Sequence, residues 1–519
     1  MKFRTMLTML LAAAMLFALA ACAKNGTPAA SDAPTAATEA VEGDIVELTL
    51  TEGGVVCESD AVYAANDVIY YEAGHDETYG AGTAADAHTA EEAAEHTVVH
   101  ITAPGTYHVT GKLKGQLFVD LGEDAKKDEN ARVTLLLDGA EINCTVAPAV
   151  LFYRVYECAD KETFTLTPDL SNAGAVVVLQ GENNVAGSHV AKIYKEGTTD
   201  KLYKFDGAFY SKTSLRIEGD GVLNVTADNE GLDTELHLQI DGGEINIYSQ
   251  DDGVNTNEDG VSVTTINGGR INISGGNGSE GDGIDSNGAI VVNGGSLYAS
   301  ANPQTGDGGI DADLGIYLNG GTVIATGSRN DEISSESKQV LMDLTFAGTV
   351  KKGAALALFD GDVQVFGFTA TREFSALVIS VPALRRDVPY TLTVDDAIQQ
   401  HGGKGAPLGP VQPANPGAPG SGTLPDPTDG QPPQAPQNGG PGSQPPAPPS
   451  DGNELPIVGV ELPPEPFTPS DLTPPSGDRP EPPSGDVPGM PAGTEEVSAT
   501  FTVTADNHTF RNVTAANDG

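Results

Sequence analysis

Two aspartate-rich segments lie a short distance apart and share one pattern. Residues 281–288 read GDGIDSNG and residues 306–313 read GDGGIDAD, so each places carboxylates on both sides of an apolar Ile. Carboxylates that recur in register on neighbouring strands repel one another unless a cation neutralises them. Asp and Asn side chains offer the oxygen ligands that Ca²⁺ prefers, about six to eight per ion. The two segments therefore predict bound calcium.

The same pattern begins one repeat earlier, in DDGVN at residues 251–255. Between residues 218 and 330 there are 18 Asp or Glu residues against two basic residues, Arg270 and Arg329, so the chain cannot neutralise this region itself. The alternative interpretation is an exposed acidic face that water and salt make tolerable. The predicted calcium ligands are Asp251, Asp252, Asn255, Asp282, Asp285, Asp307, Asp311 and Asp313.

The segments between the acidic residues repeat at a fixed interval. DGGEINI, NGGRINI, NGGSLYA and NGGTVIA begin at residues 241, 267, 293 and 319, which are 26 residues apart. A period in the twenties with glycine at each corner is typical of a solenoid, and three short strands with three turns fill such a repeat. We therefore predict an all-β fold, a right-handed parallel β-helix with turns of about 26 residues.

Alternation of apolar and polar residues assigns the inward side of each strand. Asp241, Asn267, Asn293 and Asn319 fall at one corner and are predicted to stack as a polar ladder that bonds to turn backbone. The predicted inward pairs are Leu238/Ile240, Thr264/Ile266, Ile290/Val292 and Ile316/Leu318 on one strand, Ile245/Ile247, Ile271/Ile273, Leu297/Ala299 and Val323/Ala325 on the next, and Val254/Thr256, Ile284/Ser286 and Ile310/Ala312 on the third.

The first 22 residues have the features of a bacterial lipoprotein signal peptide. MKFR is positively charged, an apolar stretch follows, and LAAC at residues 19–22 resembles a lipobox with Cys22 as the lipidated residue. The alternatives are an ordinary signal peptide or a single spanning helix. Residues 23–44 are rich in Ala, Thr, Ser and Pro, which predicts a flexible tether. Together these features predict a lipid-anchored protein on the extracellular face of the cell membrane.

The rest of the chain divides by composition. Residues 45–401 are predicted to form the β-helix domain, with 333–395 as its end cap. Residues 402–494 hold 27 of the 35 Pro residues, which predicts a disordered insertion that could also thread into peptidoglycan. Residues 495–519 return to a β pattern and are predicted to pair with YTLTV at 390–394.

Charge and cysteine content limit the partners. A formal net charge of −46, with 63 Gly and no Trp among 519 residues, argues against nucleic acid as a partner and favours divalent cations.

Apart from Cys22, the cysteines are Cys57, Cys144 and Cys158, so at most one disulfide forms, and Cys144 with Cys158 is the nearest pair. Their spacing does not suggest zinc, and we interpret them as mostly buried small residues.

These segments resemble the family of secreted clostridial-type carbohydrate-binding β-helix proteins. The resemblance covers roughly residues 95–395, from APGTYHVTGKLKGQLFVD and VTLLLDGAEI through the acidic repeats. It implies a polysaccharide-lyase-like parallel β-helix that binds calcium, and cellulose or polygalacturonate, without established catalysis. The long proline insertion and the high acidity depart from that family. The calcium positions that the resemblance implies are Asp251, Asp252, Asn255, Asp282, Asp285 and Asp311.

The favoured function is binding of a polysaccharide by a monomer, without catalysis. Because the chain is strongly acidic, an acidic polysaccharide would need Ca²⁺ to bridge carboxylates on both sides. Tyr248, Tyr298 and Tyr317 are predicted to point outward, where they could stack on sugar rings or simply cover the sheet.

Two alternatives remain open. A calcium-dependent polysaccharide lyase needs a base beside the metal, and the candidates are Arg270, which could instead pair with Glu244, and Lys201, Lys204 and Lys212. A structural adhesin or spacer of the cell wall would use the solenoid surface, and its proline-rich insertion would then matter more than its aspartates.

Overall fold

The computed structural model describes residues 45–75, 78–402, 497–505 and 508–516 of the chain. The predicted signal segment with Cys22, the tether, and the proline-rich segment beyond Gly402 lie outside the described residues. Within them the fold is nearly all β. None of the helices in this part of the chain has the length and apolarity needed to cross a membrane.

The first part of the fold runs to residue 211 and includes one short helix, which Thr89 and Glu92 cap reciprocally. Its elements are β1 (Ile45–Thr51), β2 (Gly54–Val56), β3 (Val62–Ala65), α1 (Ala90–Ala94), β4 (Thr97–Ile101), β5 (Gly105–Asp120), a 3₁₀ turn (Ala125–Lys127), β6 (Val133–Asn143), β7 (Val150–Arg154), β8 (Ala175–Gln180), β9 (Glu182–Gly187), β10 (Val190–Tyr194), β11 (Lys201–Phe205) and β12 (Gly207–Ser211).

The middle part follows the repeat seen in the sequence, with three short strands in each period. Its strands are β13 (Leu215–Gly219), β14 (Val222–Ala227), β15 (Glu230–Thr234), β16 (Leu238–Ile240), β17 (Glu244–Ser249), β18 (Val254–Thr256), β19 (Val263–Ile266), β20 (Arg270–Ser274), β21 (Ile284–Ser286), β22 (Ala289–Val292), β23 (Ser296–Ser300), β24 (Ile310–Ala312), β25 (Gly315–Leu318) and β26 (Thr322–Gly327).

From β13 to β23, each strand pairs in parallel with the strand three places further along the chain, which gives three parallel ladders. The first ladder continues from β13 through β16, β19, β22 and β25, and the second from β14 through β17, β20, β23 and β26. The third ladder continues from β7 through β12, β15, β18, β21 and β24.

The predicted register is confirmed, because the predicted inward residues are the buried ones. Ile245, Ile271, Leu297 and Val323 pair in register along the second ladder, and none is more than 1% exposed. Residues of all three ladders belong to one hydrophobic core, which is the arrangement that buries the most apolar surface per repeat.

The corner ladder of amides is also confirmed, although its side chains bond to one another. Asn267 Nδ2 donates to Asp241 Oδ1 at 2.8 Å, Asn293 donates to Asn267 at 2.9 Å, and Asn319 donates to Asn293 at 3.0 Å. Each repeat is thus tied to the previous one outside the core.

The last part has a second core and antiparallel pairing. Its strands are β27 (Leu341–Val350), β28 (Ala355–Asp360), β29 (Val363–Thr369), β30 (Phe374–Ser380), β31 (Pro389–Val394), β32 (Ala397–Gln400), β33 (Phe501–Thr502) and β34 (Thr509–Ala515). β30 pairs antiparallel with both β26 and β27. The predicted return of the C-terminal segment is observed, since Tyr390 pairs with Phe501.

The three cysteines within the described residues are free thiols. Cys144 is buried while Cys57 and Cys158 are half-buried, so the sequence pair Cys144 and Cys158 is not bridged here. Burial raises the pKa of both Cys144 and Cys158 to about 12, which makes them poor nucleophiles.

Candidate metal centre

The third ladder carries a column of acidic and amide side chains. Leu232, Val254, Ile284 and Ile310 fill the core, and the residue after each of them falls in register with its neighbours. Successive strands of a ladder lie about 4.8 Å apart, so these side chains are crowded. We call this set the acidic column: Asp233, Asn255, Asp285 and Asp311.

A second row of carboxylates lies two residues before the inward Leu, Val or Ile of each strand. Its members are Glu230, Asp252 and Asp282, and we call it the flanking row. The row is stacked by backbone bonds, from Gly231 N to Asp252 O at 3.0 Å and from Gly253 N to Asp282 O at 3.1 Å. A Cβ on Gly253 would lie 2.1 Å from a methyl carbon of Ile273, so the position after Asp252 requires glycine.

The two rows meet at a buried group of three carboxylates. Asp206, Glu230 and Asp233 each offer an oxygen atom, and these atoms lie within 4.8 Å of one another. Asn255 Nδ2 donates to Glu230 Oε1 at 3.2 Å. Asp233 Oδ2 and Asn255 Oδ1 are buried and accept no hydrogen bond from the part of the chain that the structure describes. Buried oxygens of this kind normally have a partner, and here a cation would supply it.

Burial and mutual repulsion make these carboxyl groups hard to ionise. Burial, followed by the charges of neighbouring carboxylates, raises the pKa of Asp233, Asp252 and Asp282 well above the ordinary value. The same causes raise the pKa of Asp285 to about 6, and burial raises that of Asp311 to about 7. A divalent cation among them would reverse this effect.

Basic side chains contact the two ends of these rows. Lys204 Nζ pairs with Asp206, and Arg329 Nη2 pairs with Asp311. Burial lowers the pKa of Lys204, but the carboxylates of Asp206 and its neighbours outweigh it, so the net pKa is raised. Within the part of the chain that the structure describes, no salt bridge reaches Asp252, Asp282 or Asp285. Among the described residues, the middle of the rows therefore has no directly paired cation, and Asp282 and Asp285 interact electrostatically with Arg329 without a salt bridge to it.

The structure places most of the predicted calcium ligands along one ladder, but none of the eight belongs to the buried group of Asp206, Glu230 and Asp233. Asp252 and Asn255 are buried, whereas Asp251, Asp282, Asp285, Asp307 and Asp311 are half-buried along the same ladder. Asp307 Oδ2 accepts a bond from Gly281 N at 2.9 Å and so braces the turn between repeats. Asp313 is exposed beyond the end of β24, at the margin of the rows.

The predicted aromatic residues do not form one sugar-binding surface. The expectation that Tyr298 is exposed is wrong: it is 5% exposed, belongs to the second core, and its hydroxyl lies 2.6 Å from Thr371 Oγ1. Its side chain points away from the first core as predicted, but the C-terminal strands cover it. Tyr248 and Tyr317 are half-buried, and Tyr317 packs against Val263, Ala289 and Val291.

The candidate bases are scattered. Arg270 lies opposite Glu244 in the backbone register, but within the described residues no salt bridge joins their side chains, and Lys201 is exposed on β11. Lys204 is already paired with Asp206. Burial lowers the pKa of Lys212, whose Nζ lies 5.1 Å from the ring centre of Tyr153. Of the four, Lys212 is the one whose surroundings favour a neutral amine.

Sequence reasoning missed Asp206, Glu230 and Asp233. A signal for two of them was present, since EGLD at residues 230–233 has the same form as DGVN at 252–255 and DGID at 282–285. Asp206 lies outside the regular repeat, before β12, and only the pairing of Gly207 with Glu230 places it beside them.

Comparison with known proteins identifies the family. A family model described as "Carbohydrate-binding domain-containing protein" matches residues 95–365, which is more than half of the chain. The chain belongs to this carbohydrate-binding family. The matched range contains all of the acidic column and the flanking row.

Other comparisons add little to this assignment. No match was found among curated proteins. One solved structure is similar, the polysaccharide lyase-like protein from C. thermocellum, determined as a gadolinium derivative. It shares 20% identity over 54% of this chain and 93% of that one, with a TM-score of 0.30. At that TM-score the likeness carries no argument about the fold or the site.

Proposed function

We propose that this member of the carbohydrate-binding family holds calcium in the acidic column and uses it to bind polysaccharide, without catalysis. The observation that carries the proposal is the pair of buried oxygens, Asp233 Oδ2 and Asn255 Oδ1, that accept no hydrogen bond among crowded carboxylates. The donors are all oxygen atoms from carboxylate and amide groups, which is the set that Ca²⁺ favours. Zinc would prefer nitrogen and sulfur ligands.

This proposal requires that the three ladders together enclose one core as a solenoid. We infer that they form a right-handed parallel β-helix, because the ladders repeat with a step of about 26 residues and all three contribute to one core. Right-handed crossovers are the rule where parallel strands are joined through the same sheet. In this arrangement the acidic rows run along one edge of the solenoid.

The charge of the chain favours a calcium-bridged ligand. At a formal net charge of −46, the protein repels a polyanion such as polygalacturonate. Calcium on the acidic rows would give uronate carboxylates a cation to bind, since it accepts more ligands than one protein site supplies. Binding of an acidic polysaccharide would then depend on calcium, whereas binding of cellulose would not.

The test is to mix the purified protein without residues 1–22 with polygalacturonate at saturating calcium. Co-sedimentation that chelator abolishes, with no rise in the ultraviolet absorbance of unsaturated uronate, is the expected result. Rising absorbance would overturn the non-catalytic part of the proposal and would direct mutagenesis to Lys212, whose pKa burial lowers. Absence of both signals would overturn the acidic-polysaccharide part.

We also propose that Cys22 carries the lipid anchor and that the domain lies on the extracellular face of the cell membrane. The support is the LAAC sequence at residues 19–22 after the apolar stretch. Metabolic labelling with an alkyne fatty acid should mark the wild-type protein and not Cys22→Ser, and labelling of both would overturn this assignment.

A further inference from the structure

An open cleft lies beside the start of the third ladder, outside the acidic rows. Its volume is about 270 Å³, near the lower limit of about 300 Å³ for pockets that hold small molecules. It is therefore of a size for one ring rather than for a long ligand. The residues that define it are Tyr70, Glu72, His75, Tyr79, Ile193 and Tyr203, and we call it the tyrosine cleft.

The two walls of the tyrosine cleft are joined by backbone contacts. Gly80 forms an antiparallel bridge with Ile193, and Tyr194 N donates to Tyr79 O at 2.9 Å. A Cβ on Gly80 would lie 1.8 Å from Lys192 O, so this close approach requires glycine. The cleft is thus held open by the fold and does not need a ligand to form.

The side chains of the cleft are fixed against one another. The rings of His75 and Tyr79 stack with centroids 3.9 Å apart, and Glu72 N donates to Tyr79 Oη at 3.1 Å. The ring of Tyr79 also lies 5.2 Å from that of Tyr71. Rigid aromatic rings lose little conformational entropy on binding, which suits a contact surface.

The cleft is connected to the acidic column by a run of aromatic rings. Tyr203 lies 6.2 Å from Tyr153, Tyr153 lies 6.1 Å from Phe205, and Phe205 lies 5.3 Å from Tyr210, centroid to centroid. Tyr210 is in register with Asp233 of the acidic column. Phe205 and Tyr210 are each 1% exposed and belong to the first core, so the cleft and the acidic column are linked through packed side chains.

We propose that the tyrosine cleft binds a neutral sugar ring of a glycan chain. Tyrosine offers an apolar face for the C–H side of a pyranose and a hydroxyl for its polar rim. Among the described residues that line the cleft, Glu72 is the one carboxylate, its Oε2 lies 3.5 Å from His75 Nε2, and none is Lys or Arg, so the lining favours a neutral sugar over an acidic one. This inference rests on the proposed polysaccharide-binding function and assigns it a second, calcium-independent subsite.

One wall of the cleft lies outside the residues that the family model matches. The family match begins at residue 95, while Tyr70, Glu72, His75 and Tyr79 precede it. Ile193 and Tyr203 on the opposite wall lie inside the match. The N-terminal segment therefore adds a binding surface to the shared domain, and ligand preference at this subsite is a property of this chain.

The experiment measures binding of cellohexaose, a neutral glucan oligomer, in chelator. Because the chain has no Trp, its intrinsic emission comes from its 14 tyrosines, of which Tyr70, Tyr79 and Tyr203 line the cleft, and the variants identify the cleft's share of any quenching. We expect saturable quenching in chelator, and about tenfold weaker binding for both Tyr70→Ala and Tyr203→Ala. Tyr203→Phe keeps the ring and should bind within about threefold of wild type.

The control variant is Phe164→Ala, which removes an exposed aromatic side chain that does not line the cleft. Near-ultraviolet circular dichroism of each variant checks that the hairpin of β10 and β11 is retained. Unchanged binding by Tyr70→Ala and Tyr203→Ala, or no saturable binding at all, would overturn the inference. Binding of an aromatic peptide more tightly than cellohexaose would also overturn it.

The calcium-dependent polygalacturonate experiment separates failure of the subsite from failure of the proposed function. Polygalacturonate binding without cellohexaose binding would overturn the cleft alone. The reverse result would overturn the calcium-bridged proposal and leave the cleft as the carbohydrate site.

Discussion

At the scale of single residues, the decisive feature is Asp233, which is fully buried within the carboxylate group of Asp206 and Glu230. One of its oxygens accepts a bond from Asn257 Nδ2 at 2.6 Å, and the other accepts none. Such an atom is costly to leave unsatisfied, about 1–3 kcal/mol or more for a charged group.

We therefore expect Asp233→Asn to weaken calcium binding by about tenfold or more, since it removes a charged oxygen ligand. The same change should stabilise the protein in chelator, because it removes one of three mutually repelling carboxylates. Calorimetric titration with calcium and thermal unfolding in chelator measure the two effects. Asp220→Asn, at an exposed turn, is the matched control. Equal calcium affinity in the two variants would contradict the assignment.

Lys204 supplies the cation at one end of the rows, and calcium at the buried group would compete with it. We expect Lys204→Gln to raise calcium affinity, by about threefold to tenfold, and to destabilise the calcium-free protein by on the order of 3 kcal/mol. Lys201→Gln, exposed on the same strand, should change neither value. Loss of calcium affinity in Lys204→Gln would show instead that the ammonium group supports the site.

At the scale of elements, the third ladder stacks carboxylates and therefore makes stability depend on pH. The folded pKa values of Asp285 and Asp311 are raised to about 6 and about 7, above an ordinary value of 3.8. The folded protein thus binds more protons than the unfolded chain between about pH 4 and pH 7. The stability that these groups contribute is present below pH 4 and is lost as the pH rises to 7.

In chelator, we expect the free energy of unfolding to fall by on the order of a few kcal/mol from pH 4.5 to pH 7. Calcium should restore it, because the ion stabilises the ionised carboxylates. Burial lowers the pKa of His189, but the carboxylates of Asp228 and Asp86 outweigh it and raise that pKa to about 10. The stability that the charged imidazole contributes is therefore lost between about pH 6.5 and pH 10. The measured quantity is therefore the difference between calcium and chelator at each pH. A difference that does not grow with pH would contradict the prediction.

At the scale of the whole molecule, the C-terminal segment, which is far from the second core in sequence, completes that core. Phe501 and Phe510 are at most 1% exposed, and β34 pairs in parallel with β27. Arg511 Nη2 also lies 3.1 Å from Asp343 Oδ2. The final residues are thus part of the packed C-terminal core.

Removal of residues 403–519 should destabilise the C-terminal strands, since each buried Phe contributes about 1.5–3 kcal/mol. Calorimetry should show a transition at lower temperature, while calcium affinity stays the same because the acidic column packs on the other core. The control is deletion of residues 403–496 alone with a short linker, which keeps β33 and β34. A single unchanged transition in the truncated protein would contradict this account.

The sequence by itself determined the repeat and its inward side. A period of 26 residues and the alternation of apolar residues are local properties, and a one-residue slip would move every buried side chain to the wrong face. For the same reason Asp252, Asn255 and Asp285 could be assigned to one ladder in advance. The glycine after each residue of the flanking row follows from the lack of space for a Cβ between repeats.

Only the tertiary structure decided which side chains from distant segments meet. Asp206 precedes the regular repeat, and Tyr298 alternates correctly but is covered by strands that follow it by about seventy residues, with Thr371 at 2.6 Å. The tyrosine cleft joins Tyr70 and Tyr79 to Ile193 and Tyr203, which are more than a hundred residues away in the sequence. Periodicity constrains neighbours along a ladder, whereas contacts between insertions depend on loop length and packing, which no local pattern encodes.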